Sequence, residues 1–508
     1  MVATSAYNLS IVMFVALSSL TYGYAFSVFS TSIGQVGFYE YFDLSTTGPR
    51  AGYTNSMLGA INALFSAGAA FGALSIAWLP DWMGRKKTIQ LAAVVSLVGG
   101  ALVAGCATIP MLVVVRLIQG IGVGQCITIT PVYLSEVAPP ARRGFLAGQN
   151  AVGLVTGYFI ASWVGYGTYF AKDATFAWRF PLALSCLFPL ILIVGSPWIP
   201  ESPRWLLWKD RADEAWVITE RLHRDPRDPG QTQAKEEFYQ MRSQIEFDRT
   251  QDLSMWYMFK KPSLRHRILL SCGILFGGQA CGPLVVNNYS VLIYENLGMS
   301  GSMPLLMYAV YVVVGASVNV IAAFIMDRVG RRPLLCIGFL STTIAMSVET
   351  ALVAKFASTE NKGGNAAAVL FLFLFVTGYG VCIDSTAFVY CAEVYPTMYR
   401  AKGMALGLFV YYVGSIAFLT PAATAMANIG WKFYLVFVAC SFVAFVLTYF
   451  FAVETARLSL EEINSLFGDT VVVNWTNATA EEKAHIDEVI AEKARGEHVD
   501  VIENNDSQ

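Results

Sequence analysis

Apolar runs long enough to cross a bilayer recur along the chain, separated by short polar stretches. A helix needs roughly 20 such residues to span a bilayer core. On that criterion spans are predicted near 9–30, 57–79, 88–107, 110–132, 145–168 and 180–199. A second set is predicted near 267–294, 303–326, 334–354, 367–391, 402–427 and 431–452. A polar stretch from Pro200 to Arg265 separates the sets. The pattern predicts an all-α integral membrane protein: twelve transmembrane helices in two six-helix bundles, with short cytosolic helices between them. The expected division is 1–8 N-terminus, 9–199 N-terminal bundle, 200–265 linker helices, 266–453 C-terminal bundle and 454–508 tail.

Within the linker, Ser202 can cap a helix and Pro203 suits its first position. Ala212, Ala215, Trp216, Thr219 and Leu222 recur at helical spacing, which predicts an amphipathic surface helix. Residues 479–496 of the tail have the composition of another.

The charged residues are few and they repeat. Tyr133-Leu-Ser-Glu136-Val137, followed by Arg143, matches Tyr390-Cys-Ala-Glu393-Val394, followed by Arg400, at identical spacing. Asp81-Trp-Met-Gly84-Arg85-Lys86 matches Asp327-Arg-Val-Gly330-Arg331-Arg332. Two similar halves with matched charge clusters at one face are the layout of an alternating-access transporter. Basic residues concentrate in the even-numbered loops and the central stretch. The odd-numbered loops hold only Arg50, Lys172, Arg179, Lys355, Lys362 and Lys432. The positive-inside rule therefore places both termini and the linker in the cytosol.

Composition narrows the class further. The chain is 55% hydrophobic and 14% charged, too apolar for a soluble protein of 508 residues. A net charge of −2 offers no basic field for nucleic acid. The nine cysteines all fall in apolar runs without metal-ligand spacing, so neither a disulfide framework nor a metal is expected. No cofactor motif, Gly-x-Ser-x-Gly elbow or His-based dyad points to an enzyme. All four histidines lie in predicted cytosolic segments. The expected partners are a small-molecule substrate, the lipid bilayer and protons.

Several motifs in order carry a resemblance. They are Asp81 to Lys87, Arg116-Leu-Ile-Gln-Gly120-Ile-Gly122-Val-Gly124, Pro131 to Glu136 with Arg143, and Pro200-Glu201-Ser-Pro-Arg204-Trp-Leu. In the second half they are Asp327 to Arg332 and Glu454-Thr with Leu460-Glu-Glu-Ile463. Over residues of about 10 to 465 the chain resembles the sugar porter family of the major facilitator superfamily. The resemblance implies the major facilitator fold and the plasma membrane. It also implies a cytosolic gate of Asp81, Gly84, Arg85, Arg116, Glu136, Arg143, Glu201, Arg204, Asp327, Gly330, Arg331, Glu393, Arg400 and Glu454. Such groups can form salt bridges between the two bundles. Each exposed pair is worth roughly 0–1 kcal/mol, which suits contacts that break every cycle.

The family's sugar-binding pattern is only partly kept. In the seventh span Gln279, Gly282 and Tyr289 remain, but Gly278 and Leu284 stand where the family has Gln and Asn. Ala151 and Gly315 replace amides of the fifth and eighth spans. Phe388 replaces a Trp, and Tyr411-Tyr412 replaces an Asn-Trp pair. Each missing amide removes groups that would pair sugar hydroxyls. The expected site is wider and less polar than a glucose site, and suits a disaccharide, glycoside or secondary metabolite; an ordinary monosaccharide stays open if Gln149, Asn150, Gln279, Asn287 and Asn288 supply the contacts. Its candidate ligands are Gln149, Asn150, Gln279, Asn287, Asn288, Asp384, Phe388, Tyr411 and Tyr412; the amides could equally serve as interhelical glue. A transport-inactive nutrient sensor is the alternative from another class.

Proton-coupled relatives carry an Asp in the first span where this chain has Ala25. Asp384 is the proton-coupling candidate instead. It lies nine residues from Glu393, roughly 14 Å deep in a bilayer core, where a carboxylate is costly and marks function by default. The competing role is a structural carboxylate held by Ser385 or Thr386. Glu349 is also inside a span, expected near its outer end beside Lys355.

Overall fold

The computed structural model describes residues 6–468, apart from 46–47, 139–142, 224–230, 358, 360, 457, 459–462, 464 and scattered positions within 232–253. The side chains of 143–145, 147, 323, 327, 397 and 398 are not described. The side chains of Arg143 and Asp327, and the predicted helix 479–496, therefore lie outside the described residues.

Helices dominate because a backbone in hydrocarbon must satisfy its own polar groups. The first six spans are Ala6–Ser32, Ala51–Ser75, Arg85–Ala104, Ile109–Val137, Arg143–Thr168, and the pair Ala174–Leu184 and Leu187–Gly195. Linker helices Pro203–Trp208, Ala212–His223 and Met255–Lys260 follow. The second set is Pro262–Ala280 continued by Pro283–Asn296, then Met303–Val329, Arg331–Phe356, Lys362–Val394, Thr397–Ile429 and Tyr434–Phe451. Among the described residues, 11 helices are apolar and long enough to cross a membrane. The fifth span, 26 residues long, meets the length alone. Gln149, Asn150 and its glycines dilute its apolar character.

Local signals act as the sequence indicates. Ser202 accepts from the Trp205 N–H, capping Pro203–Trp208. Three spans depart from the single helices predicted: the sixth, divided between Ala174–Leu184 and Leu187–Gly195, the seventh and the tenth. The seventh breaks at Gly282, whose φ of +87° is left-handed, and Pro283 starts the next segment. The Phe437 ring lies 2.8 Å from where a Cβ would stand there, so a side chain is excluded as well as the conformation disfavoured. The tenth carries a π turn at Gly380–Asp384, and Asp384 ends it. Such turns insert a residue into the helix and redirect its side chains.

Residues up to Glu454 form one unit and Thr455–Gln508 another. Within the first unit the N-terminal spans pack through small residues, since lipid gives no hydrophobic drive for helix association. A Cβ on Gly23 would sit 2.1 Å from the Leu154 carbonyl, and one on Gly68 2.1 Å from that of Leu117. These approaches lock the first span to the fifth and the second to the fourth.

The two halves meet at the end where Ser32, Ala51, Asn296 and Met303 lie. Ser27 and Tyr308 hydroxyls are 2.6 Å apart, Asn62 Nδ2 donates to Tyr289 Oη at 3.2 Å, and Ser30 reaches Asn288 at 3.5 Å. A Cβ on Gly59 would stand 2.3 Å from the Thr420 carbonyl oxygen. This end, opposite the charge clusters, is shut.

Candidate functional site

The charge clusters are the first group of candidates. In the N-terminal half, Arg85 Nε and Nη2 each donate to Glu136 at 2.9 Å, and Nη1 donates to Asp81 at 3.1 Å. Glu201 Oε1 accepts the backbone N–H of Arg85 at 2.8 Å, Lys86 at 3.1 Å and Ser202 at 2.9 Å. The C-terminal half repeats this. Arg331 donates to Glu393 at 3.1 and 2.9 Å, and Glu454 accepts the N–H of Arg331 at 2.9 Å and of Arg332 at 3.1 Å. Gly84 and Gly330, with φ of +94° and +101°, let each carboxylate reach a helix start, where unpaired N–H groups and the dipole favour an anion. Burial pushes the Glu201 carboxyl above its usual range, against the opposing pull of those N–H groups and of Arg85.

These ion pairs lie within each half, not between the halves as the sequence suggested. The reason is geometric: the partners sit on adjacent helix ends of one bundle, and bidentate Arg–carboxylate pairing consumes the guanidinium. Arg204 lies on the short helix after its Ser202 cap, and Arg400 in the first turn of the eleventh span. Replacing Glu454 with Ala is expected to lower stability by about 1–3 kcal/mol, because two helix-start N–H groups lose their acceptor. Thermal unfolding in detergent checks it, and Glu201→Ala should behave alike.

Arg116 does not join the gate. It sits 20 residues before Glu136 on one continuous helix, roughly 30 Å away. There it is buried between the Phe29 and Phe65 rings, at 4.5 and 4.4 Å, and donates to Gln119 at 2.8 Å and the Ala25 carbonyl at 3.3 Å.

The second group lies midway along the spans. Asp384 Oδ2 accepts from Asn319 Nδ2 at 3.1 Å, and Ser385 Oγ donates to Asn319 Oδ1 at 2.8 Å. Asp384 is thus held from the eighth span, whereas the Thr386 hydroxyl is buried with no partner. Tyr22, Tyr158, Tyr311, Tyr379 and Tyr411 all lie within electrostatic reach of Asp384. Tyr22 and Tyr158 come from the N-terminal half and the others from the C-terminal half, so Asp384 faces the seam. Phe388 packs on Tyr411 at 5.6 Å, Tyr411 on Tyr412 at 5.2 Å, and Tyr412 meets Tyr22 across the seam at 6.2 Å.

The amides divide by role. Gln279 Oε1 accepts from Ser415 at 3.2 Å, while its buried Nε2 makes no close protein hydrogen bond and lies beside the Tyr411 hydroxyl. Asn287 accepts from Tyr308 at 3.0 Å, Asn288 from Ser30, and Asn150 from Ser19. Those three are tied into contacts between spans, and Asn287 and Asn288 belong to the shut end. Gln149 is half-buried on the fifth span. A Cβ at Gly278 would stand 3.5 Å from Ile383 and 3.7 Å from the Tyr379 hydroxyl, ordinary contacts, so the tenth span packs close to this glycine with room for a methyl group.

Asn319, Ser415 and four of the five tyrosines were not among the sequence candidates. For Asn319 a signal existed: it stands one helical turn after Gly315 and donates to its carbonyl at 3.1 Å. The amide absent at 315 is supplied from 319. Glu349 is not beside Lys355, whose ammonium lies over the Phe356 ring at 5.4 Å.

Two pseudo-symmetric helical halves, joined at one end, clustered separately at the other and enclosing a polar seam, define a multi-pass membrane transporter of the alternating-access type. The chain belongs to the sugar (and other) transporter family, which it matches over residues 11–467. It is 32% identical over 455 residues to the MFS-type transporter criB of Aspergillus cristatus, covering 89% of this chain and 92% of that one. It is 28% identical over 495 residues to a high-affinity glucose transporter of Kluyveromyces lactis, covering 93% and 87%. The solved proton:xylose symporter XylE, bound to 6-bromo-6-deoxy-D-glucose, shares the fold: TM-score 0.76, 23% identity, 92% of this chain and 100% of that chain. Family and fold are those of transporters rather than enzymes.

Proposed function

We propose that this protein moves a sugar-like substrate across the plasma membrane, with the charge clusters, linker and termini in the cytosol. The substrate is a sugar or sugar-like molecule bulkier or less hydroxylated than glucose, such as a disaccharide or a glycoside. The observation that carries this reading is the composition of the seam. Aromatic rings from both halves line it, Gln279 brings it a buried amide next to Tyr411, and glycine stands at 278 and 315 where the family carries amides. Aromatic faces stack on apolar sugar faces or aglycones, and one or two amides fix orientation. The proton-symporter description of XylE and the carboxylate at Asp384 support proton coupling. The halves 9–199 and 266–453 would rock about the seam while the clusters at Arg85 and Arg331 hold each half rigid.

Uptake of a labelled panel by cells lacking their own hexose carriers tests this. Saturable uptake of an aromatic glycoside or disaccharide, with little uptake of glucose or xylose, is expected. Saturable glucose or xylose uptake alone would overturn the wide-site reading. In the same assay Gln279→Ala should raise the half-saturation concentration about tenfold, the loss of one buried hydrogen bond of about 1.4 kcal/mol.

A further inference from the structure

The seventh span's second segment, Pro283–Asn296, is the C-terminal half's share of the shut end. One face carries Asn288 and Tyr289, bonded to Ser30 and Asn62 of the other half. Another carries Tyr294, fully buried, with its hydroxyl unpartnered. Behind that face lies Glu349 of the ninth span. It is 0% exposed and neither carboxylate oxygen has a hydrogen-bond partner.

Glu349 is eighteen residues along its span from Arg331, roughly 27 Å, and so well beyond the depth of Asp384. The titratable groups facing it are Tyr294 from the seventh span and Tyr434 from the twelfth. Tyr308 of the eighth reaches Tyr294 but bonds Ser27 and Asn287 instead. Cys281, with Cys440 near it, lies lower, by Thr342. Lys355 turns to Phe356, and Lys362 opens the tenth span at the same end, beside Leu297 and Met299. No cation hydrogen-bonds the carboxyl. A charge buried there without a protein partner is strongly disfavoured, whereas the same carboxyl carrying a proton is not.

We propose that Glu349 is a second proton-binding site, filled while the end formed by Pro283–Asn296 is shut and emptied when that segment moves away. The hinge is Gly282, the one left-handed residue inside the span. When the segment swings, Tyr294 leaves Glu349 open to water from that side and the proton departs. Protons on that side therefore favour closure. This link is independent of substrate and of the role given to Asp384.

The test uses full-length protein in lipid vesicles without substrate. Spin labels at Val36→Cys and Met303→Cys report the closing distance; both positions are exposed, and the native cysteines described are buried or half-buried. Wild type should open as pH rises, its closed-to-open ratio falling up to about tenfold per pH unit for one proton. Glu349→Gln, which mimics the protonated group, should stay closed throughout, and Glu349→Asp should restore the transition. The Asp384→Asn background should leave it in place. A Glu349→Gln protein that opens with the wild-type pH profile overturns the proposal. So does wild type whose distances ignore pH, a measurement that needs no substitution at 349.

Discussion

Asp384→Asn protein is expected to carry substrate down its gradient but to lose accumulation driven by a pH difference. The carboxylate is half-buried in the tenth span, with Asn319 as its described hydrogen-bond partner and tyrosines from both halves around it. That position is reached from either side as the halves rock, which is what a coupling site needs. One proton per cycle converts each unit of pH difference into about a tenfold concentration ratio, since one unit is 1.36 kcal/mol. Proteoliposomes with an imposed pH step measure this directly. The wild type should concentrate the substrate by about that ratio, the variant should stop at equality, and counterflow exchange should persist. Undiminished accumulation by Asp384→Asn would refute the proton-carrier role. Asn319→Leu separates charge from positioning: it leaves the carboxyl but removes its donor, so it should shift the pH profile of transport rather than abolish coupling.

Gly59→Val should be the most damaging change outside the seam. A Cβ at 59 would stand 2.3 Å from the Thr420 carbonyl oxygen across the contact between the halves. A backbone carbonyl on a helix cannot turn aside as a side chain can. Overpacking of this kind costs about 1–3 kcal/mol, which makes the shut state about 5 to 150 times rarer relative to the open one. Net transport should fall by a comparable factor, while substrate still binds from the side left open. Binding and transport measured on the same vesicles check both parts. Wild-type transport by Gly59→Val would mean that the halves need not approach there.

Much of the framework was legible from residue order. The runs of apolar residues mark where helices cross, because a helix closes its own hydrogen bonds and needs no distant partner. The repeated Gly84-Arg85 and Gly330-Arg331 signals mark the tight turns, since only glycine holds those φ values cheaply. Ser202 before Pro203 marks its helix for the same local reason. The family resemblance rests on such local motifs, and the match over residues 11–467 agrees with it.

What the order of residues could not give is which face each span turns to its neighbour. A surface helix shows its buried side as an apolar stripe, but a span is apolar all round and carries no stripe. Gate residues were therefore assigned across the halves when Arg85–Glu136 and Arg331–Glu393 close within them. Arg116 was placed at the wrong end because a motif gives order, not depth. Asp384 was recognisable as a costly charge, but its partner Asn319, 65 residues away, was not. Nor was the split between Gln279, which lies with Ser415 and Tyr411 at the seam, and Asn287 and Asn288, which join the shut end. The sequence by itself determined the spans, the twofold plan and the charged corners, all products of local chemistry. Only the tertiary structure decided which polar groups meet, because in a membrane that depends on the rotation of one helix against another.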